Sequence, residues 1–191
     1  MTTDALSWLE LSRAALLHNL AAARALAGGA RLIPVLKANA YGAGAVGMAQ
    51  TIATTGVDAF AVATVPEALE LRAAGIMGML LCLTYFTPSE APAIVAHDLT
   101  PGVFTMEGAR LLSAAAEAAG RPLTVWVKVD TGLGRLGVRY PDAPAFVAAL
   151  AADPWLRVRG LFSTIIENPA RDEQQVRRLL AVRDALLVAG P

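Results

Sequence analysis

Apolar, strand-like runs begin near Leu32, Ala59, Met79, Thr100, Leu123 and Val158, at intervals of 20 to 35 residues, with a segment of helical character between each pair. A helix must bury one stripe and a strand both faces, so this alternation predicts a parallel sheet covered by helices, with strands apolar throughout. Two architectures satisfy it, a (β/α)8 TIM-type barrel and an open doubly wound sheet. In both, chemistry collects at the carboxyl ends of the strands.

Local signals sharpen the pattern. Trp8-Leu9-Glu10-Leu11 alternates as a short first strand would. Ser12 then caps a helix with Leu16, Leu20 and Ala23 on one face, stopped by Gly28-Gly29. Thr64-Val65-Pro66-Glu67 reads as a capping box with proline in the first turn, and Thr87-Pro88-Ser89-Glu90 opens the next helix in the same way. Further helices are expected over Met106 to Ala119, Tyr140 to Ala152 and Ala170 to Val188. The last of these carries an apolar stripe of Val176, Leu179, Leu180 and Leu186, with Arg177, Arg178, Arg183 and Asp184 on its wet side. His18 and His97 read as a surface residue and a helix-terminal residue.

Sixteen basic residues balance sixteen acidic ones in a chain that is 55% hydrophobic. A neutral balance offers no electrostatic footprint for nucleic acid or an acidic membrane face, and a small-molecule ligand is expected. The longest apolar candidate for a membrane span, Ala73 to Phe86, falls short of the ~18 residues a bilayer crossing needs. With Asp4 and Glu10 near the start and no basic cluster, a secretory leader is not expected. A single cysteine, Cys82, permits no internal disulfide and suits a reducing cytoplasm.

Two stretches exceed any packing need. Ile33-Pro34-Val35-Leu36-Lys37-Ala38-Asn39-Ala40-Tyr41-Gly42-Ala43-Gly44 ends an apolar run on a lysine. Burial disfavours the cation, so a lysine enclosed there tends toward the neutral amine that attacks an aldehyde, as in Schiff-base formation with pyridoxal phosphate. Read by itself, Lys37 is most simply a strand-end residue extending its ammonium into water. The spacing Gly42, Gly44, Gly47 matches a dinucleotide fingerprint in letters, but the preceding Lys37-to-Tyr41 run has the wrong character for a tight pyrophosphate turn. The second stretch, Val125-Trp126-Val127-Lys128-Val129-Asp130-Thr131-Gly132-Leu133-Gly134-Arg135-Leu136-Gly137, again ends a strand in charge and glycine. Lys128, Asp130 and Arg135 either converge there on an anion or form a local ion pair of small worth.

Together the two stretches resemble the paired motifs of the alanine racemases, pyridoxal-phosphate enzymes with a fold-type III barrel, over roughly Trp8 to Phe162. The resemblance implies a (β/α)8 barrel of which residues 1–191 supply an amino-terminal, cofactor-binding segment with about six of eight strands. It implies pyridoxal 5'-phosphate carried by Lys37, a phosphate contact from Tyr41, and Arg135 on the cofactor's phenolic oxygen and the substrate carboxylate. Lys128 corresponds to a lysine that is often carbamylated and holds the arginine in place. Lys37 and Arg135 are thus the implied catalytic residues, with no metal. The implied reaction interconverts L- and D-alanine for peptidoglycan, in a cytoplasmic homodimer when complete. A broader amino-acid racemase and a non-catalytic pyridoxal-phosphate barrel are the alternatives.

The chain departs from the family in two respects. Thr164 stands where the family has a histidine that stacks on the pyridine ring. The later part of the barrel and the domain bearing the second acid–base tyrosine have no counterpart, and neither Tyr85 nor Tyr140 is assigned that role. Exposed strand edges are expected to make such a chain associate.

Overall fold

The computed structural model describes residues 8–189, which divide between Leu80 and Leu81 into two compact units. In the first unit, helix α1 (Arg13–Leu26) is capped by the Ser12 hydroxyl, which accepts the Ala15 N–H at 3.2 Å. A short turn, α2 (Lys37–Tyr41), leads to α3 (Ala45–Ala53), then strand β1 (Ala59–Val62), α4 (Val65–Ala73) and the start of β2 (Met79–Cys82). The core is made of β1, buried along its whole length, together with the buried Ile52 of α3 and Ala68 and Leu71 of α4. The Thr64–Glu67 capping box is present as expected.

Two sequence expectations fail in this unit for the same reason. Trp8 to Leu11 forms no strand; Trp8, Leu9 and Leu11 are exposed. The run from Leu32 contributes a single parallel bridge, Val35 to Ala61, rather than a strand. Alternation marks a segment that suits a sheet, but ladder hydrogen bonds need a neighbour in register, and only Val35 has one among the described residues. The Leu16 and Leu20 face of α1 is likewise only half-buried.

The second unit begins with the end of β2, where Leu81 pairs with Thr100 of β3 (Thr100–Val103) in parallel. Between them lie a 3-10 turn over Pro88–Glu90, capped by Thr87 with Glu90 reaching back, and α5 (Ala91–Ala96). Helix α6 (Met106–Ala118) precedes β4 (Leu123–Asp130); a two-residue strand β5 (Val138–Arg139), unforeseen in the sequence, pairs with the end of β4. Helix α7 (Ala143–Ala151), strand β6 (Leu156–Phe162) and the long α8 (Pro169–Ala189) complete the described chain. All strand pairings are parallel, which bears out the α/β reading.

The expectation of strands apolar throughout is corrected by β4 and β6. On β4, Leu123, Val125, Val127 and Val129 are enclosed, while Thr124, Trp126, Lys128 and Asp130 take the alternate face. On β6, Arg157 and Arg159 are exposed. A Cβ on Gly160 would lie 2.6 Å from the Trp126 ring, so glycine is what lets that ring lie flat on β6. The register shifts between Val125 and Trp126 accommodate this close approach.

Helix α8 also differs from its expected faces. Val176 and Leu180 of the stripe are 45% and 39% exposed, whereas Gln175 and Val182 are buried. An open groove of about 690 Å3 between α7, β6 and α8 is lined by Val147, Val158, Leu161, Leu179, Leu180 and Leu187. Arg178, expected on the wet side, instead donates to the Thr131 carbonyl at 2.8 Å and lies over the Tyr140 ring.

Candidate functional site

In the first unit the lysine motif adopts a backbone that no propensity would suggest. Ala38, Asn39, Ala40 and Tyr41 all have φ between 51° and 55°, so α2 is wound left-handed, and Gly42 continues it at φ 89°. For L-residues this costs roughly 1–2 kcal/mol each. Such strain persists only where the surroundings over-determine it. Three ties do so. The Ala38 N–H donates to Glu67 Oε1 at 2.7 Å, the Ala45 N–H to Asn39 Oδ1 at 2.7 Å, and the Gly44 N–H to the Asn39 carbonyl at 2.9 Å.

Glu67 is therefore more than a capping residue. Its second oxygen accepts the N–H groups of Ala63 and Thr64, at 2.8 and 3.1 Å. One carboxylate on α4 holds both the exit of β1 and the start of the left-handed turn. The turn leaves Lys37 half-buried, its Nζ 5.7 Å from the centre of the Tyr41 ring. The enclosure expected around Lys37 is only partial: Leu36 before it is buried, but Val35, Ala38 and Tyr41 are exposed. Among the described residues no hydrogen bond or ion pair engages the Lys37 amine, and Tyr41 is exposed.

In the second unit, enclosure falls on Lys128, which is 4% exposed. Its Nζ donates to Thr164 Oγ1 at 2.7 Å and lies 4.7 Å from the centre of the Phe162 ring. Burial holds the amine below its usual range; the positive charge of Arg135 adds to this, and Asp130 opposes it. Arg135 is exposed, and among the described residues no hydrogen bond or ion pair engages its guanidinium. Asp130 is not left open to a ligand in the same way. Its carboxylate accepts the N–H groups of Gly132 and Gly134, folding the loop that carries Arg135. Gly137 follows with φ 131° and would bring a Cβ 2.5 Å from the Asp130 nitrogen, so only glycine fits.

Sequence reasoning missed Glu67 as a tether, Thr164 as the partner of Lys128, and Gln175. A signal was available for the lysines: the chain has only two, Lys37 and Lys128, and every other basic residue is arginine. Among the described residues no cluster of metal-ligating side chains forms, and no helix is long and apolar enough to cross a membrane.

The alternation of parallel strands and covering helices defines an α/β fold of the barrel type. Comparison with known proteins is more specific: residues 11–190 match the family model "Alanine racemase, N-terminal domain". The chain is 39% identical over 182 residues to an alanine racemase of Syntrophobacter fumaroxidans, covering 94% of itself and 48% of that relative. It superposes on an alanine racemase of Clostridium difficile 630 solved with cycloserine at a TM-score of 0.87, with 27% identity over 92% of this chain and 50% of that one. A histidine racemase of Leuconostoc mesenteroides gives a TM-score of 0.81 at 27% identity, over 88% of this chain and 46% of that one. The chain belongs to the alanine racemase family. It spans about half the length of the curated relatives it matches.

Proposed function

We propose that residues 1–191 form the cofactor-binding barrel segment of a pyridoxal-phosphate-dependent alanine racemase, with Lys37 carrying the cofactor. The observation that supports this most is an amine that no hydrogen bond or ion pair engages among the described residues, at the start of a strained left-handed turn. The residue types suit pyridoxal phosphate: the first unit offers a half-buried amine for its aldehyde and a phenol for its phosphate, and the second an exposed guanidinium for its phenolic oxygen. When bound, the cofactor supplies an electron sink that renders the substrate α-proton acidic. Lys37 would hold the cofactor and, once its amine is released by the substrate amine, would move the α-proton on one face as one of the two acid–base groups racemisation requires.

In this reading the Tyr41 hydroxyl donates to the phosphate. Arg135 holds the substrate carboxylate with two parallel N–H donors, as a planar fork can. Lys128 backs Arg135, and the neutral amine that burial favours is the form open to carbamylation. The second acid–base group is assigned to no residue of 1–191. The complete enzyme is read as a cytoplasmic homodimer that supplies D-alanine for peptidoglycan.

The histidine racemase neighbour favours a second reading, an amino-acid racemase of the same fold with a broader substrate range. A non-catalytic pyridoxal-phosphate carrier shares Lys37 with both. Titration of the chain with pyridoxal phosphate, followed by absorbance, tests the reading they share. Saturable binding that Lys37→Ala removes is expected; binding by Lys37→Ala with wild-type affinity would overturn the assignment.

A further inference from the structure

Gln175 is a fully amide-bonded side chain at 2% exposure, on a helix face where the sequence pattern calls for nothing polar. Its Nε2 donates to Thr131 Oγ1 and to the Thr164 carbonyl, both at 3.1 Å, and its Oε1 accepts the Ile166 N–H at 2.9 Å. Both donors and the acceptor are engaged, as a buried amide requires. Thr131 lies just beyond β4, and Thr164 and Ile166 just beyond β6. One α8 side chain therefore ties the exits of two adjacent strands, and the Thr131 and Ser163 hydroxyls add a 2.7 Å bond between the same two segments.

The consequence reaches Lys128 through Thr164. Gln175 holds the Thr164 backbone, and the β-branched side chain of a threonine has few rotamers once its backbone is fixed. The hydroxyl is then directed at Lys128 Nζ, 2.7 Å away. The alternative partners of that amine are few: the Phe162 ring beneath it, Asp130 on its own strand, whose carboxylate is turned into the glycine loop, and the repelling charge of Arg135.

We propose that Gln175 is a positioning residue that acts through Thr164: by clamping the exits of β4 and β6 it keeps the Thr164 hydroxyl on the Lys128 amine and so fixes that amine behind the Arg135 loop. The catalytic meaning of this contact rests on the reading of Lys128 as the support of Arg135. The contact itself does not, so the two can fail separately. In that role Thr164 provides a tether to the lysine at the position where the family places its ring-stacking histidine.

Trace acetylation of the full chain in bicarbonate-free buffer, with peptide mapping, tests the coupling without cofactor or substrate. Because the chain has only two lysines, Lys37 in the same sample is the internal reference. Gln175→Met and Thr164→Val are each expected to raise the Lys128-to-Lys37 labelling ratio by about tenfold, the population change that accompanies loss of one buried hydrogen bond. The double variant is expected to go no further than the larger single effect, since both act at one contact. A wild-type ratio in Gln175→Met, or effects that multiply in the double variant, would overturn the proposal. Should Gln175→Met lose its cooperative unfolding transition, Gln175→Glu decides. It keeps an acceptor for Ile166 but, as a carboxyl, can make at most one of the two donated bonds; a raised ratio supports the proposal and a wild-type ratio overturns it.

Discussion

Replacing Glu67 by alanine removes the acceptor of three backbone N–H groups, those of Ala38, Ala63 and Thr64. Hydrogen bonds to a charged group contribute about 1.5–3 kcal/mol when enclosed. The Ala38 and Thr64 groups lie at exposed positions, where water replaces the carboxylate and most of that value is lost. The Ala63 bond is part-buried and retains more of it. The Thr64 bond is also the Glu67 half of the capping box, so it is counted once, and the three bonds together give a destabilisation of roughly 2 kcal/mol. With a urea slope of about 2 kcal/mol per molar, the unfolding midpoint moves down by about 1 M. The left-handed turn loses one of its three ties, so pyridoxal-phosphate binding at Lys37 weakens as well. Far-UV circular dichroism in urea and a cofactor titration measure the two effects. Glu70→Ala, an exposed carboxylate on the same helix, serves as control and is expected to stay within about 0.5 kcal/mol of wild type. A Glu67→Ala chain indistinguishable from that control in both assays would refute the role given to Glu67.

Three further outcomes are expected. The folded state holds the Lys128 proton less tightly than the unfolded chain, whose amine titrates near 10.5, so the unfolded state binds more protons between the lowered value and 10.5. Stability therefore rises with pH across that window, and Lys128→Met flattens the slope; an unchanged slope in urea titrations at stepped pH would count against the buried amine. Arg135→Ala weakens carboxylate-bearing substrate analogues more than it weakens pyridoxal phosphate, and equal loss of both in parallel titrations would contradict its assignment to the carboxylate. The exposed Val176, Leu180 and Leu187 of α8 beside an apolar groove make the isolated chain self-associate or bind a hydrophobic dye, and Leu180→Gln with Leu187→Gln reduces both; a compact monomer in sedimentation that binds no dye would contradict this.

What the sequence revealed depended on how local the determining interaction was. The Ser12 cap and the Thr64–Glu67 box are settled within four residues, and both stand in the structure as read. Glycine positions around Asp130 were equally legible, because a sharp turn against backbone admits no Cβ. Trp8 to Leu11 and the Leu32 run show the opposite case: a strand-like pattern is a property of one segment, and a ladder is a property of two. The left-handed turn was hidden because Ala38 and Ala40 carry no preference for positive φ; its cause lies at Glu67, 29 residues from Ala38. Thr164 and Gln175 were hidden similarly, since the Lys128 and Thr131 contacts join positions 36 and 44 residues apart. A polar Gln175 inside α8 was the one trace such a network left in the pattern.

Whether Lys37 carries the cofactor is decided by borohydride reduction of the chain with pyridoxal phosphate, followed by peptide mapping. The chain has two lysines, so the map has few places for a label to fall. A reduced pyridoxyl group is expected on the peptide containing Lys37 and none on Lys128, which is 4% exposed and tied to Thr164. A label on Lys128, or no lysine label at all, would contradict the assignment of Lys37.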